Sequence, residues 1–554
     1  MGHKKTHSFT NLIDLKKGKL MPNKSSASSI FSSGKKMFFS NSSKDELNYH
    51  SDNDLGTSNS RSGSRYNLPN FGKDKSKRHK KSRDARLKIR EKMFKEKKDT
   101  TARITVHIAD VLQRQVFILT LCKAFMLYGA PTHRLEEYMT VTARVLEIDG
   151  SFIYFPGCMI VSFGDSTTRT SDMKLVRCAQ GLDLGKLDEA HEIYKSVVHD
   201  RVGVEEASTR INELLSRKPR YNIWCCILIY GFASAMVTPW GFGGSWIDMP
   251  ISFGIGLVVG FLQFVISPKS SLYSSVFEVT ASIVVSFIGR AIGSINGGST
   301  FCFSGIVQGS LALILPGYII LCGSLELQSR NIVAGSVRMF YAIIYSLFLG
   351  FGITLGAALY GWIDHNATSA TTCQSNVSPW FRFLLVPMFT IGLALINQAK
   401  ISQLPAMIVI SGGGYVVNYF SGKHFSNAAE FTSTIGCFMI GFLSNLYSRI
   451  GRTFLGKRMN PGMAVVNMLP GIFVQVPSGI ASQGSLLAGI NTADAIVNSN
   501  HTTSSNTSSN EFSSTSLSFG IVMVQVAIGI SVGLFAATIA VYPFGKKRTG
   551  LFTL

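Results

Sequence analysis

Glu278-Val-Thr-Ala-Ser-Ile-Val-Val-Ser-Phe-Ile-Gly289 returns later in the chain as Glu430-Phe-Thr-Ser-Thr-Ile-Gly-Cys-Phe-Met-Ile-Gly441. Glu, Thr, Ile, Ile and Gly recur in register, and Ala/Ser and Ser/Thr exchanges keep the other small positions small. Each copy sits in a long apolar segment, where a carboxylate costs about 2.5 to 3.5 kcal/mol on insertion scales and marks a pathway or a partner. The chain therefore reads as two copies of one membrane unit, with an acid at the same place in each.

Composition agrees. Of 554 residues, 46% are hydrophobic and 52 are glycine, with a mean hydropathy of +0.23. The apolar residues fall in long blocks, which excludes an ordinary soluble enzyme and predicts an integral membrane protein. The formal charge is +22, and residues 1–100 hold 25 Lys/Arg against 10 Asp/Glu, so +15 of it arises there. A tail that basic is expected to stay cytosolic. The nine cysteines are scattered, with Cys225 and Cys226 adjacent and only Cys373 expected to face outward. That pattern predicts neither a disulfide framework nor a zinc site. No apolar segment precedes residue 100, so no cleavable signal peptide is expected and the first span directs insertion.

Residues 1–100 are rich in Ser, Asn, Lys and Gly and are expected to form a disordered basic cytosolic tail. Its run from Lys73 to Lys98, with Leu87, Ile89, Met93 and Phe94 interspersed, reads either as a solvated linker or as a contact with anionic lipid. Met1-Gly2-His3-Lys4-Lys5-Thr6 fits the loose myristoylation pattern. Residues 101–220 read as a small cytosolic α+β domain. Helices are expected from Val111 to Gly129 and from Pro131 to Glu147, strands at Ser151 to Phe155, Met159 to Phe163 and Met173 to Cys178, and helices near Lys186 to Asp200 and Val204 to Leu215.

About ten segments long enough to cross a bilayer follow, near 222–240, 249–267, 273–295, 301–321, 338–361, 380–397, 403–420, 428–448, 462–482 and 517–542. Loops expected inside carry Lys269, Arg330, Lys400, Arg449, Arg452, Lys457 and Arg458, and those expected outside carry little Lys or Arg beyond Lys423. This asymmetry predicts an even number of spans with both termini cytosolic, in the plasma membrane or an endomembrane. The sequons at Asn366, Asn376, Asn500 and Asn506 fall in the two long outward loops, near 362–379 and 487–516, as glycosylation candidates.

The fold class expected is thus an α-helical integral membrane protein. About ten transmembrane helices form a 5+5 inverted repeat, at 221–365 and 379–545, behind the α+β domain and the tail. Five spans per copy invert the second copy relative to the first, the arrangement secondary transporters use for alternating access. Pro316-Gly-Tyr-Ile319 with Gly323-Ser-Leu325 pairs with Pro477-Ser-Gly-Ile480 and Gly484-Ser-Leu486, although Leu469-Pro470-Gly471 copies Leu315-Pro316-Gly317 more literally. Both alignments break the fourth and ninth spans, which is tolerated where backbone lines a cavity. The expected substrate and proton pathway comprises Glu278 and Glu430 as titrating or cation-pairing acids and Thr280 and Thr432 as hydroxyls. Pro316, Gly317, Asn467, Pro470, Gly471, Pro477 and Gly479 shape its pocket. The competing reading is that acids near span ends reach the headgroups and that Pro-Gly only kinks a helix. Arg290 either pairs with an acid or reaches the interface.

Gly256-x-x-x-Gly260, Gly352-x-x-x-Gly356 and Gly529-x-x-x-Gly533 read as close helix packing. Gly451 to Arg458 approaches a P-loop, but Arg458 replaces the required Ser/Thr and no strand precedes it, so ATP-driven transport is rejected. No metalloprotease, nucleophile-elbow or dinucleotide motif is present, and neither an enzyme nor a cofactor nor a metal is expected.

Gly129-Ala-Pro-Thr-His-Arg134-Leu-Glu136, the Pro156 to Ser162 strand region, Leu315-Pro316-Gly317 and Val476-Pro477-Ser-Gly479 resemble the threonine/serine exporter family, and the basic tail is similar to its fungal branch. The resemblance implies a soluble domain plus five spans as one module and five spans as another, with proton-driven export of threonine, serine or small carboxylates. It also carries over Gly129, Arg134 and Glu136 as a soluble-domain motif. The partners expected are a small-molecule substrate and the lipid bilayer, with anionic lipid at the tail; no nucleic acid is expected, and a homo-oligomer stays open. The rival function is a non-transporting membrane scaffold or regulator, acting in mating or at the cell cortex through the cytosolic N-terminal region.

Overall fold

The computed structural model describes residues 110–130, 132–165, 170–373, 377–425, 428–454, 463–475, 478–498 and 508–543. The basic tail, the Met1-Gly2 pattern, Pro477, Asn376, Asn500 and Asn506 lie outside them.

Helix α1 (Asp110–Tyr128) buries Phe117, Ile118, Leu121 and Phe125 at helical spacing. It stops at Gly129, whose φ of +81° is left-handed; a Cβ there would stand 2.8 Å from the Gly181 carbonyl oxygen, so only glycine fits. Next come α2 (Thr132–Val145) and an antiparallel meander of β1 (Gly150–Phe155), β2 (Cys158–Asp165) and β3 (Thr170–Arg177). In register, Tyr154 faces Met159 and Met159 faces Val176. Phe152, Tyr154, Met159, Val161 and Phe163 alternate onto the buried face and join the core of α1 and α2. Asp183 caps α3 (Leu184–Val198) by accepting from the Lys186 amide at 2.9 Å, and α4 (Val204–Ser216) follows. Phe125, Tyr138 and Tyr194 lock the helices together, with ring centroids 5.2 to 5.9 Å apart.

The remaining helices are α5 (Ile223–Phe242), α6 (Asp248–Phe261), α7 (Ser271–Ser274), α8 (Phe277–Gly293), α9 (Phe303–Leu311), α10 (Gly317–Gln328), α11 (Ile332–Ile363), α12 (Arg382–Ile396), α13 (Leu404–His424), α14 (Ala429–Phe454), α15 (Ala464–Gln475), α16 (Ser478–Asn498) and α17 (Ser508–Val541). Among the described residues, six helical stretches are long and apolar enough to cross a membrane, belonging to α1, α5, α6, α11, α12 and α17. For α1 that hydropathy comes from side chains buried in the α+β core. Helices α9, α10 and α15, with 9, 12 and 12 residues, are each too short for a full crossing.

The fourth of the expected spans is split. Between α9 and α10 the chain leaves helical geometry over 312–316, and Pro316 becomes the N-cap of α10. Helix α15 is described to Gln475 and α16 from Ser478, the two residues between them lying outside the described ones, and Pro470 lies inside α15. The more literal match at Leu469-Pro470-Gly471 therefore does not interrupt its helix. The expected outward loop at 487–516 is shorter than its polar composition suggested. Helix α16 continues to Asn498 because Gly489, Ile490 and Ala493 pack on α11, against Ile353, Ala357 and Ala358.

Packing follows a repeated scheme. Helix α5 lies on α6 and α12 on α13; α9 touches both α5 and α6, and α15 touches both α12 and α13. Helix α8 packs on α11 and α14 on α17, while α10 contacts α11 and α17, and α16 contacts the same two. The small residues of the quoted stretch line two of these seams. A Cβ at Gly356 on α11 would meet the Ile283 carbonyl oxygen, and one at Gly533 on α17 would meet that of Thr434, so the backbones touch.

One cysteine expectation is corrected: Cys302 and Cys373 form a disulfide, closing a sequence separation of 71 residues. The expectation for Cys373 overlooked that α9 starts at Phe303, which brings Cys302 to the same end of the helices. Asp248 fastens the same region, accepting from the Ser245 amide at 2.7 Å and the Cys302 amide at 3.1 Å.

Candidate functional site

The break between α9 and α10 opens onto a cavity of about 270 Å³. Ala312, Leu313, Leu315, Gly317 and Tyr318 supply one wall; α5, the turn after α6, α12 and the end of α15 supply the rest. The turn after α6 is a single π-helical turn, Leu262–Ile266, a geometry that shifts a side chain off the regular helical face and recurs at functional sites. It brings Gln263 to the cavity. Tyr230 and Trp240 of α5 line it as well, and the Tyr230 hydroxyl, the Trp240 indole nitrogen and Gln263 Oε1 are buried without a hydrogen-bond partner among the described residues. A buried polar atom left so is costly unless something else pairs with it. No lining residue is charged. Tyr318 stacks on Phe473 with ring centroids 5.4 Å apart, so α10 and α15 meet across the cavity.

Beyond Tyr318, α10 runs into the α+β domain. Glu326, fully buried, pairs with Arg338 Nε of α11 at 2.8 Å and accepts from the Thr132 hydroxyl of α2. Arg338 Nη2 donates to the Tyr154 hydroxyl and to Gln180 Oε1, both at 2.5 Å. Burial pushes the Tyr154 phenol up to about 12, despite the nearby guanidinium, so it meets Arg338 as a neutral group. A second anchor is Asp188 of α3, which accepts from Lys400 Nζ at 2.9 Å, Gln403 Nε2 at 3.1 Å and the Met463 amide at 3.1 Å. The domain thus grips the ends of α10 and α11, the entry to α13 and the start of α15.

The comparisons with known proteins fit this arrangement. Residues 116–360 match the family model described as "Putative threonine/serine exporter". The family resemblance read from the sequence therefore holds from α1 to α11. The chain is also 62% identical over 523 residues to pheromone-regulated membrane protein 10 of Kluyveromyces lactis, covering 94% of this chain and 52% of that one. It is 62% identical over 490 residues to the protein of that name in Candida albicans SC5314, covering 88% and 43%, and 62% identical over 475 residues to that of Saccharomyces cerevisiae YJM789, covering 86% and 59%. The chain spans about half the length of these curated relatives. No solved structure matches it. It is a membrane protein whose residues 116–360 match that family model.

Within the exporter-family region, the motif from Gly129 to Glu136 divides its roles. Gly129 makes the turn and Thr132 reaches Glu326. Arg134, buried, is held by Tyr138 and Glu137; burial lowers its pKa, partly offset by those two neighbours. Glu136 accepts from the Tyr154 amide at 2.6 Å, fixing β1 on α2, and is not ion-paired with Arg134. Of the expected pathway residues, Gly317 lines the cavity and Pro316 caps the helix beside it. Asn467, Pro470 and Gly471 are buried within α15, and Gly479 lies in the first turn of α16.

The two quoted acids lie elsewhere, half-buried in the first turns of α8 and α14. Glu278 is close enough to Tyr341 and Tyr345 to act on both electrostatically, and Tyr345 donates to the Ile314 carbonyl inside the break at 2.9 Å. Thr280 donates to the Val276 carbonyl of its own helix at 2.9 Å, and Thr432 is buried on α14. Arg290 pairs with Asp494 of α16 at 2.7 Å and donates to the Ala357 carbonyl at 3.0 Å. Asn366 is exposed between α11 and α12. Sequence reasoning missed Tyr230, Trp240, Gln263, Thr132 and Glu326. The comparison of repeats stopped at Leu325, one residue short of a carboxylate in an apolar helix.

Proposed function

We propose that the protein is a proton-coupled secondary transporter that exports small polar metabolites. Its ten crossings are α5, α6, α8, α9 with α10, and α11, then α12, α13, α14, α15 with α16, and α17, as two five-helix units inverted relative to each other. Support comes from the matched contacts, in which every packing pair of one unit named above has its counterpart in the other. The disulfide at the start of α9 and the basic loops at the opposite face favour cytosolic termini, since disulfides persist in oxidising compartments. In this reading the α+β domain is cytosolic, and Glu278, Thr280, Glu430 and Thr432 belong to the proton pathway. The basic tail adds contact with anionic lipid.

The observation that carries the reading is the cavity at the helix break, apolar in its walls and holding three unpartnered polar atoms. At about 270 Å³ it lies just below the roughly 300 to 1,000 Å³ typical of ligand pockets, a size for a small solute. Without a charged wall it would leave a dicarboxylate unneutralised, so threonine and serine fit better than small dicarboxylates. Purified protein in liposomes is expected to move labelled threonine or serine under a pH gradient, with Trp240→Ala and Gln263→Ala each slowing the flux about tenfold, the loss of one or two hydrogen bonds to a bound solute. Absence of flux for amino acids and dicarboxylates alike would leave the scaffold reading in possession.

A further inference from the structure

We propose that Glu326 is a proton-binding site, and that its protonation frees α10 from the α+β domain and so opens the cavity on the domain side. This rests on the transport reading above. Glu326 stands on the same helix as the cavity-lining Gly317 and Tyr318, about 12 Å further along at 1.5 Å per residue. Its carboxylate is fully buried. Oε1 takes both the ion pair with Arg338 and the Thr132 hydroxyl, whereas Oε2 is buried with no partner among the described residues. That oxygen is the one positioned to take the proton. A space of about 40 Å³ lies beside its partner Thr132, lined also by Tyr318, Cys322 and Leu325; Glu326 itself is not in its wall.

The surroundings give the proton something to switch. The titratable and charged groups facing Glu326 are Arg338 from α11, Tyr154 from β1 and Cys322 from α10 itself. The α2 neighbour, Thr132, is uncharged, and from α17 the nearby Ser531 donates to the Ser324 hydroxyl at 2.9 Å. Arg338 is thus the single cation opposing the carboxylate among these groups. Its Nε contact with Oε1 is short but poorly aligned, so it acts through charge, while its aligned hydrogen bonds go to Tyr154 and Gln180 of the domain. Neutralising Glu326 removes the attraction to Arg338 and leaves Arg338 bound to the domain. Helix α10 then loses its ionic link through Arg338 to the domain, while it keeps the Thr132 hydrogen bond and its packing on α11 and α17, against which it can pivot at the break before Gly317, separating Tyr318 from Phe473.

The test uses the whole chain in liposomes with labelled threonine. In the wild-type protein, exchange at equal pH on both sides should vary with pH, and a pH gradient should drive net flux. Glu326→Gln should flatten the pH profile and reduce gradient-driven flux about tenfold or more, the size of an ordinary coupling between two sites. Should that variant fail to fold around an unopposed Arg338, the double variant Glu326→Gln, Arg338→Gln removes both charges and is expected to give the same flat profile. A wild-type pH dependence retained in whichever variant folds overturns the proposal alone. No exchange by the wild-type protein overturns the transport reading, and this proposal with it.

Discussion

Helices α10 and α16 occupy matching places, each packed on α11 and α17, yet they end differently. Helix α10 stops after 12 residues with Glu326 fully buried under the α+β domain. Helix α16 runs for 21 residues, and its Asp494, with a side chain 30% exposed, pairs with Arg290 near the disulfide face. Their arginine-side contacts on α11, at Arg338 and at the Ala357 carbonyl, are about 28 Å apart along the helix, close to the thickness of a hydrocarbon core. One ion pair thus lies near each end of α11. The lesson is that matched packing sets the frame, and the departures from it distinguish the two ends.

The comparison breaks first at Glu326. Glu326→Ala strands the Arg338 guanidinium among buried groups and should lower stability by about 3–5 kcal/mol in detergent-solubilised protein, read by thermal unfolding. Next are the seams. Gly356→Leu and Gly533→Leu each force apart backbones in contact and should each cost about 1–3 kcal/mol by the same readout. A large loss at one seam and none at the other would dissolve the match between α8 on α11 and α14 on α17. Asp494→Ala should cost less than Glu326→Ala, about 1–2 kcal/mol, because water screens the exposed carboxylate and Arg290 keeps the Ala357 carbonyl. The smallest stability change, within about 0.5 kcal/mol, is expected for Glu278→Gln with Glu430→Gln, both half-buried in first turns. If that double variant also leaves liposome flux untouched, the two acids have no part in the proposed pathway.

Much of this was legible in the chain. The three strands and the helices around them follow from alternation and from Gly129 and Gly157, because a layered core repeats with the period of its elements. The quoted repeat pointed to paired helices, but its small residues proved to be the seam against Gly352, Gly356, Gly529 and Gly533. The backbone of Glu430 takes part in that contact, at Gly529, and Glu278 stands next to Val279, which meets Gly352. The cavity was harder to read, since Tyr230, Trp240 and Gln263 come from two helices and meet only through a π turn that no spacing rule announces. Glu326 and Thr132 are 194 residues apart, and their meeting depends on where a whole domain docks.

The most direct test of the central claim is the two-sided accessibility of the cavity. With the seven free cysteines replaced and the Cys302–Cys373 disulfide kept, Leu313→Cys can be labelled by a membrane-impermeant thiol reagent from each face in turn. The account predicts labelling from both faces, with added threonine shifting the ratio between them. Labelling from one face only, unmoved by any amino acid, would contradict it.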